Sequence, residues 1–306
     1  MRLSPGEAVL ETSDGAGLFY RVVGHGPPAV YAHPFQNPTM RVAEVVPFRK
    51  RLTFVLPHPR GMVRSSEART PEDLSMDRLV EDMEELRLHL GLERWLLHGR
   101  SEGGFLALRY AARNPQAVSG LVLFATAPSY RYLIRQQGLF EPDHPGFAYL
   151  NATLWRFLAE PTDQNYSAHW AARARILMRA RALAQNRPVP DPPQPWPQVG
   201  DIPRHRRADD IPKGAALRFQ RFMLDILAYD VREQLRQVQA PALIVAGRHD
   251  PYCTLDQAEE LAGCLPGSEL AVLDHAAHAV TMDAGPAVES AVHEFLTRHG
   301  LGARPD

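Results

Sequence analysis

A serine hydroxyl attacks a carbonyl at neutral pH only when a base lies within hydrogen-bond reach and a third group orients that base. The run Gly99-Arg100-Ser101-Glu102-Gly103-Gly104 sets a serine between glycines two positions to either side. It falls where a strand-like segment, Trp95–His98, meets a helix-like one. A strand-to-helix turn that tight strains its serine, and small neighbours let the backbone approach itself so that the hydroxyl stands exposed above a sheet. The same turn places a helix N-terminus beside Ser101, where the backbone N–H of Glu102 points at a developing oxyanion. Gly-x-Ser-x-Gly also arises by chance and can merely close a turn, so the base and the acid must be found elsewhere in the chain.

The apolar run Ala242–Gly247 is followed by Arg248, His249, Asp250 and Pro251. Asp250 therefore sits just past a strand's C-terminal end, where the active sites of α/β sheets lie, and is the expected acid. Leu270–Leu273 reads as the next strand, followed by Asp274-His275-Ala276-Ala277-His278. Two histidines compete for the role of base. His278 is favoured over His275 because a loop after the strand is needed to bring an imidazole back over the serine. His249, adjacent to the acid, reads as structural.

These residues need a scaffold, and short apolar runs alternating with helical periodicity supply one. Ala8–Thr12 and Leu18–Val23 flank the turn formers Ser13, Asp14, Gly15 and Gly17 and predict a hairpin. Ala29–Ala32 and Leu52–Leu56 predict buried strands. Met76, Leu79, Val80, Met83, Leu86 and Leu90 keep helical spacing between a Ser75 cap and a Gly91 stop. Helix Phe105–Ala112, strand Val122–Ala125 and a helix from about Pro286 to Thr297 continue the alternation, which predicts an α/β protein with a mostly parallel central sheet flanked by helices. The alternation breaks after Ala127. Ala171–Ala184 and Leu217–Val238 read as helices, while Pro188–Pro212 holds eight of the chain's 27 prolines and excludes regular helix or central strand. The expected division is a core of residues 1–127 and 214–306 with an inserted helical cap, residues 128–213, that carries a proline-rich loop.

Composition narrows the function class. The 306 residues are 45% hydrophobic and 23% charged, ordinary for a globular chain. A formal charge of −1 supplies no global field for nucleic acid or an anionic membrane. The Arg204-His205-Arg206-Arg207 cluster is followed at once by Asp209 and Asp210 and reads as a solvated loop. No apolar run approaches the roughly 20 residues a membrane span requires, and the N-terminus does not read as a signal peptide. Cys253 and Cys264 are too few for a disulfide framework or a cysteine zinc site, and free thiols in a reducing cytosol are the expectation.

With the order Ser101, Asp250, His278, the chain resembles the α/β-hydrolase superfamily over nearly its whole length. The resemblance is carried by His33-Pro34-Phe35, Arg60-Gly61-Met62-Val63-Arg64-Ser65, Gly99–Gly104, Gly247–Asp250 and His278-Ala279-Val280-Thr281-Met282-Asp283. From Gly24 to Leu123 it looks most like the proline iminopeptidases, which remove N-terminal proline from peptides. It implies an α/β-hydrolase fold and no cofactor or metal. It also implies a second oxyanion donor in the N–H of Phe35, beside that of Glu102. Three departures mark this chain: His33-Pro34 stands for His-Gly, His58 and Val63 replace the Asp and Gly of Asp-x-Arg-Gly-x-Gly-x-Ser, and Trp170 is followed by Ala171 and Ala172. In the expected cap, Phe140, Trp155 and Trp170 are candidates to line a substrate pocket with Phe35 and Arg100. The expected activity is acyl-enzyme hydrolysis of a small ester, amide or N-terminal peptide bond. Carbon–carbon bond hydrolysis, with Arg100 meeting a substrate carboxylate, and non-catalytic binding of a small ligand are the alternatives.

Overall fold

The structure is a computed structural model that describes residues 3–34, 42–131, 147–188 and 215–303. Its centre is an eight-stranded sheet in the order β1-β2-β4-β3-β5-β6-β7-β8. β1 (Gly6–Glu11) and β2 (Gly17–Gly24) form the hairpin read from the sequence, with Leu10 opposite Leu18, and β2 runs antiparallel to β4 (Thr53–Pro57). β3 (Pro28–Ala32), β5 (Trp95–Arg100), β6 (Val118–Phe124), β7 (Ala242–Gly247) and β8 (Glu269–Leu273) continue in parallel from β4.

The central strands read as unbroken apolar runs because both of their faces are covered. Trp95, Leu97, Leu121, Leu123, Ala242 and Ile244 enter one core, and the alternate residues Leu96, Val122, Phe124, Leu243 and Val245 enter the other. The helices that cover these faces are α1 (Val42–Val45), α2 (Met76–His89), α3 (Glu102–Arg113), α8 (Leu255–Cys264), α9 (Val280–Asp283) and α10 (Gly285–Arg298). The side chain of Ser75 caps α2, accepting from the Arg78 N–H at 3.2 Å. Gly91 ends the turn that follows, with φ at +65°.

Between β6 and β7 lie α4 (Phe147–Ala159), α5 (Asp163–Ala184), α6 (Ala215–Leu227) and α7 (Arg232–Leu235). α5 begins eight residues before the periodicity suggested, where the Thr162 side chain accepts from the Asn165 N–H at 3.2 Å. The single helix expected over Leu217–Val238 is instead two. Tyr229 is buried and aims its hydroxyl at the Phe105 carbonyl, 3.3 Å away. Asp230 forms an isolated bridge with Ser129 and accepts from the Arg232 N–H, and these tertiary ties outweigh helix continuity. The proline-rich loop lies outside the described residues beyond Pro188. Among the described residues no helix is long and apolar enough to cross a membrane.

Candidate active site

Ser101, the link between β5 and α3, adopts φ +51° and ψ −119°, a conformation an L-residue rarely holds. The surrounding glycines make this geometry accessible. A Cβ on Gly99 would stand 2.4 Å from the Gly103 carbonyl oxygen, one on Gly103 would stand 2.2 Å from the Ala32 oxygen, and one on Gly104 would stand 2.5 Å from the Thr126 side chain. Two hydrogen bonds pin the serine backbone: its N–H donates to the Phe124 carbonyl at 2.9 Å, and its carbonyl accepts from Thr126 Oγ1 at 3.1 Å.

Asp250 lies just past the end of β7, and His278 lies in the loop after β8. His278 Nε2 is 2.9 Å from Ser101 Oγ, while its Nδ1 is 2.8 Å and 3.0 Å from the two carboxylate oxygens of Asp250. An ionised carboxylate only accepts, so Nδ1 carries the proton and Nε2 faces the serine with its lone pair. Backbone N–H groups of Tyr252 and Cys253 donate to Asp250 Oδ1 at 2.8 Å and 3.1 Å, fixing the carboxylate. All three side chains are buried, whereas His275 and His249 are exposed.

Glu102 opens α3, so its N–H is one of the free donors of that helix's first turn. Burial pushes its carboxyl up, but the Arg173 guanidinium, with smaller contributions from the His33 and His278 rings, outweighs that and holds it at about 2. An ionised carboxylate therefore stands beside the serine at neutral pH. Arg173, on α5, stacks over Tyr252 with its guanidinium carbon 4.6 Å from the ring centroid. The Tyr252 ring in turn meets His278 edge-on at 5.0 Å. Tyr252 Oη also donates to the Arg173 carbonyl at 2.7 Å, which ties α5 to the loop of the proposed acid. Thr126, Arg173 and Tyr252 escaped the sequence reading because their significance depends on packing between distant elements. For Tyr252 alone a local signal existed, its place two residues past Asp250 at a strand end.

Several pocket expectations change. Arg100 turns to α1, where its Nε is 3.3 Å from Glu44, and that carboxylate also accepts from Tyr31 Oη at 2.7 Å. It is thus held in an ion pair rather than left for a substrate. Trp155 is 66% exposed on the outer side of α4 and lines no interior. Trp170 packs among Tyr166, Phe219 and Arg173. Phe35 and Phe140 lie outside the described residues. The two departures in the β4 loop meet each other: His58 Nδ1 donates to the Val63 carbonyl at 2.8 Å, so they build a turn and the Val63 side chain is exposed.

Asp250, Cys253 and His278 bring three donor atoms within 4.8 Å of one another. Their chemistry does not suit a metal, since Asp250 and His278 are spent on each other and burial pushes the Cys253 thiol well above its ordinary value, away from the thiolate a metal takes.

The sheet order, the turn at Ser101 and the strand-end positions of Asp250 and His278 coincide with a family match: the profile of the alpha/beta hydrolase fold fits residues 41–284. The chain belongs to the alpha/beta hydrolase fold family. Among curated relatives, a probable proline iminopeptidase of Streptomyces coelicolor is 29% identical, with 96% of this chain and 95% of that protein aligned. An alpha/beta fold family hydrolase of Bacillus anthracis superposes with a TM-score of 0.74 over 95% of this chain and 99% of its own, at 20% identity. A thermophilic esterase of Thermogutta terrifontis superposes at 0.67 over 96% and 99%, at 19% identity. The solved structures share the fold; the curated relative makes this alpha/beta hydrolase proline iminopeptidase-like in sequence.

Proposed function

We propose that this alpha/beta hydrolase is a serine hydrolase that acts through an acyl-enzyme on a small ester, an amide or an N-terminal peptide bond. The observation that carries the reading is the unbroken chain of hydrogen bonds from Asp250 through His278 to Ser101, with the serine held on a strained turn. In the first half-reaction Ser101 Oγ bonds to the carbonyl carbon while His278 Nε2 takes its proton. Negative charge gathers on the carbonyl oxygen, where the Glu102 N–H donates, joined by the N–H of Phe35 that the family pattern supplies. Collapse breaks the bond to the leaving group, which takes the proton from His278. Water then repeats the attack, its proton passing to His278 and then to Ser101, and the acid leaves. Asp250 holds the imidazole tautomer and stabilises the imidazolium throughout. Nothing in this cycle calls for a cofactor or metal.

The inserted helices α4 and α5, with the chain on either side, form the cap that selects substrate in this reading. The likeness to a probable proline iminopeptidase supports an N-terminal residue, proline first, as acyl group. The two buried free cysteines suit a reducing cytosol. The test is intact-mass detection of fluorophosphonate labelling. A single adduct on the wild type that is lost in Ser101→Ala and His278→Ala is the expected result, followed by turnover of proline arylamides or short-chain aryl esters. A wild type that takes no label and turns over no member of that panel refutes the proposal.

A further inference from the structure

The proposed chemistry turns on the direction of one imidazole, and His278 is carried by a short loop between β8 and α9. That loop is tied to the sheet by the His249 N–H, which donates to the Ala276 carbonyl at 3.1 Å. Gly247 lets it lie close, since a Cβ there would stand 2.3 Å from the Ala277 carbonyl oxygen. Two further contacts reach the histidine and its acid from outside the sheet, and both begin on α5.

The first runs through Tyr252, which is 3% exposed and has three attachments. Its N–H holds Asp250 Oδ1 at 2.8 Å, its ring meets the imidazole edge-on with centroids 5.0 Å apart, and its hydroxyl donates to the Arg173 carbonyl at 2.7 Å. The Arg173 guanidinium lies over the same ring at 4.6 Å, so one residue of α5 grips the phenol at its face and at its hydroxyl. Burial pushes the phenol up to about 12, which keeps its proton available for that hydrogen bond at neutral pH.

The second runs through Asp283, whose side chain is sealed from solvent. Its Oδ2 accepts from the N–H of Ala277, the residue immediately before His278, at 3.0 Å. Its Oδ1 forms an ion pair with Arg181 of α5, whose Nε is 2.5 Å away, and Arg181 Nη2 donates to the Met282 carbonyl at 3.3 Å. A buried carboxylate is costly unless it is paired and hydrogen-bonded, so the helix that supplies its counter-charge is drawn to this place. Arg173 and Arg181 are eight residues apart, which puts about 12 Å of helix between the two contacts. One contact sets the imidazole and its acid, and the other sets the backbone that carries the imidazole.

We infer that α5 is a strut that aligns His278 with Ser101, and that Tyr252 and Arg181 are its positioning residues. Each acts through another group: Tyr252 through its ring against the imidazole and its N–H on Asp250, Arg181 through Asp283 and the Ala277 N–H. The inserted helix is thereby coupled to proton transfer itself, beyond any part it has in choosing a substrate. A misplacement on the order of 1 Å at a reacting group costs on the order of 10²-fold in rate, so a partial loss of alignment is measurable.

The inference rests on the hydrolase reading, so one measurement needs reaction at Ser101 and the other does not. In the first, wild type, Tyr252→Phe, Arg181→Met and Arg181→Lys are compared, each well below its melting temperature. The readouts are kcat and KM for 4-nitrophenyl butyrate and the second-order rate constant of fluorophosphonate labelling. Tyr252→Phe keeps the ring and removes only the tie to α5, and the Arg181 side chain is 36% exposed, so both substitutions leave the core intact. Tyr252→Phe and Arg181→Met should each lower kcat and the labelling constant about tenfold with KM changed less than about twofold, and Arg181→Lys should recover most of the loss. A KM that rises while kcat and labelling stay at wild-type values would assign α5 to substrate selection alone and overturn the inference, as would variants indistinguishable from wild type. The second measurement follows the Nδ1 and Nε2 chemical shifts of His278 in protein carrying isotope-labelled histidine, assigned by their loss in His278→Ala. Both signals should move in Tyr252→Phe and in Arg181→Met, and signals unmoved in both variants overturn the inference. A chain that takes no label and hydrolyses nothing, yet whose His278 signals move in both variants, would refute the proposed function and leave the strut standing.

Discussion

Ser101 stores backbone strain, on the order of 1–3 kcal/mol for such a φ and ψ, and the residues around it are chosen to hold rather than relieve it. Gly103→Ala would drive a methyl to 2.2 Å from the Ala32 oxygen, which belongs to a central strand and has nowhere to go. We expect that variant to lose at least about 3 kcal/mol in urea unfolding. Gly263→Ala is its control: the same added methyl meets nothing within 4 Å on helix α8, and a gain of about 0.5–1 kcal/mol is expected. A second residue-scale prediction concerns the tautomer. Asp250→Asn keeps the shape of the acid but offers an amide N–H where Nδ1–H needs an acceptor, so the imidazole turns its lone pair away from Ser101. A fall in kcat on the order of 10⁴ with an unchanged melting temperature is expected from stopped-flow ester hydrolysis and thermal melts. The geometry joining Ser101, Asp250 and His278 was legible because each sits at a strand end flanked by a local signal. The direction of Arg100 was not legible, because adjacency in sequence carries none: its guanidinium faces Glu44.

The longest helix, α5, shows what periodicity leaves out. Its His169 is 3% exposed, stacked on Phe157 at 6.3 Å and packed on Phe219, and among the described residues it has no carboxylate to keep it charged. Burial first, and the Arg173 charge one turn on, hold its pKa well below the ordinary 6.5. As pH falls through 6.5 the unfolded chain takes up a proton that the folded chain refuses, so the stability present above that value drains away below it. For one such histidine the loss is about 1.4 kcal/mol at pH 5.5. His169→Phe should narrow the gap between melting temperatures at pH 8 and pH 5.5 without closing it, because His58 and His98 are depressed by burial in the same way. An equal gap in both proteins would show that α5 gives no such contribution. At this scale the strands and α2 could be read from the sequence, since alternation and caps are local. The break between α6 and α7 could not, because Tyr229 and Asp230 are claimed by Phe105 and Ser129 across the fold.

Across the whole molecule the sheet order follows from the alternation of strands and helices, yet the ties that lock its layers together do not appear in any window of sequence. Arg60 is the main one. From the loop after β4 it reaches Asp14 in the hairpin turn between β1 and β2 and Asp82 on α2, so the antiparallel edge, the parallel sheet and the helical layer meet at one guanidinium that is 1% exposed. Its hydrogen bonds hold the Asp14 carboxyl well below the usual carboxylate range. Removing the cation leaves a deeply buried Asp82 without its hydrogen-bonded partner, which costs more than the pair itself contributes, because the desolvation of both ions has already been met. Arg60→Met is therefore expected to destabilise the chain by about 3–5 kcal/mol at pH 7. Burial raises the Asp82 carboxyl above its ordinary value, and losing Arg60 raises it further, so the folded variant takes up a proton there before the unfolded chain does and the deficit should shrink as the pH drops towards 4. Adding Asp82→Leu to Arg60→Met should recover a large part of the loss, since a buried apolar pair replaces a lone charge. Denaturant melts of the wild type and these two variants at pH 7 and pH 4.5 decide the matter, and a double variant no more stable than Arg60→Met would mean that the guanidinium acts through packing alone.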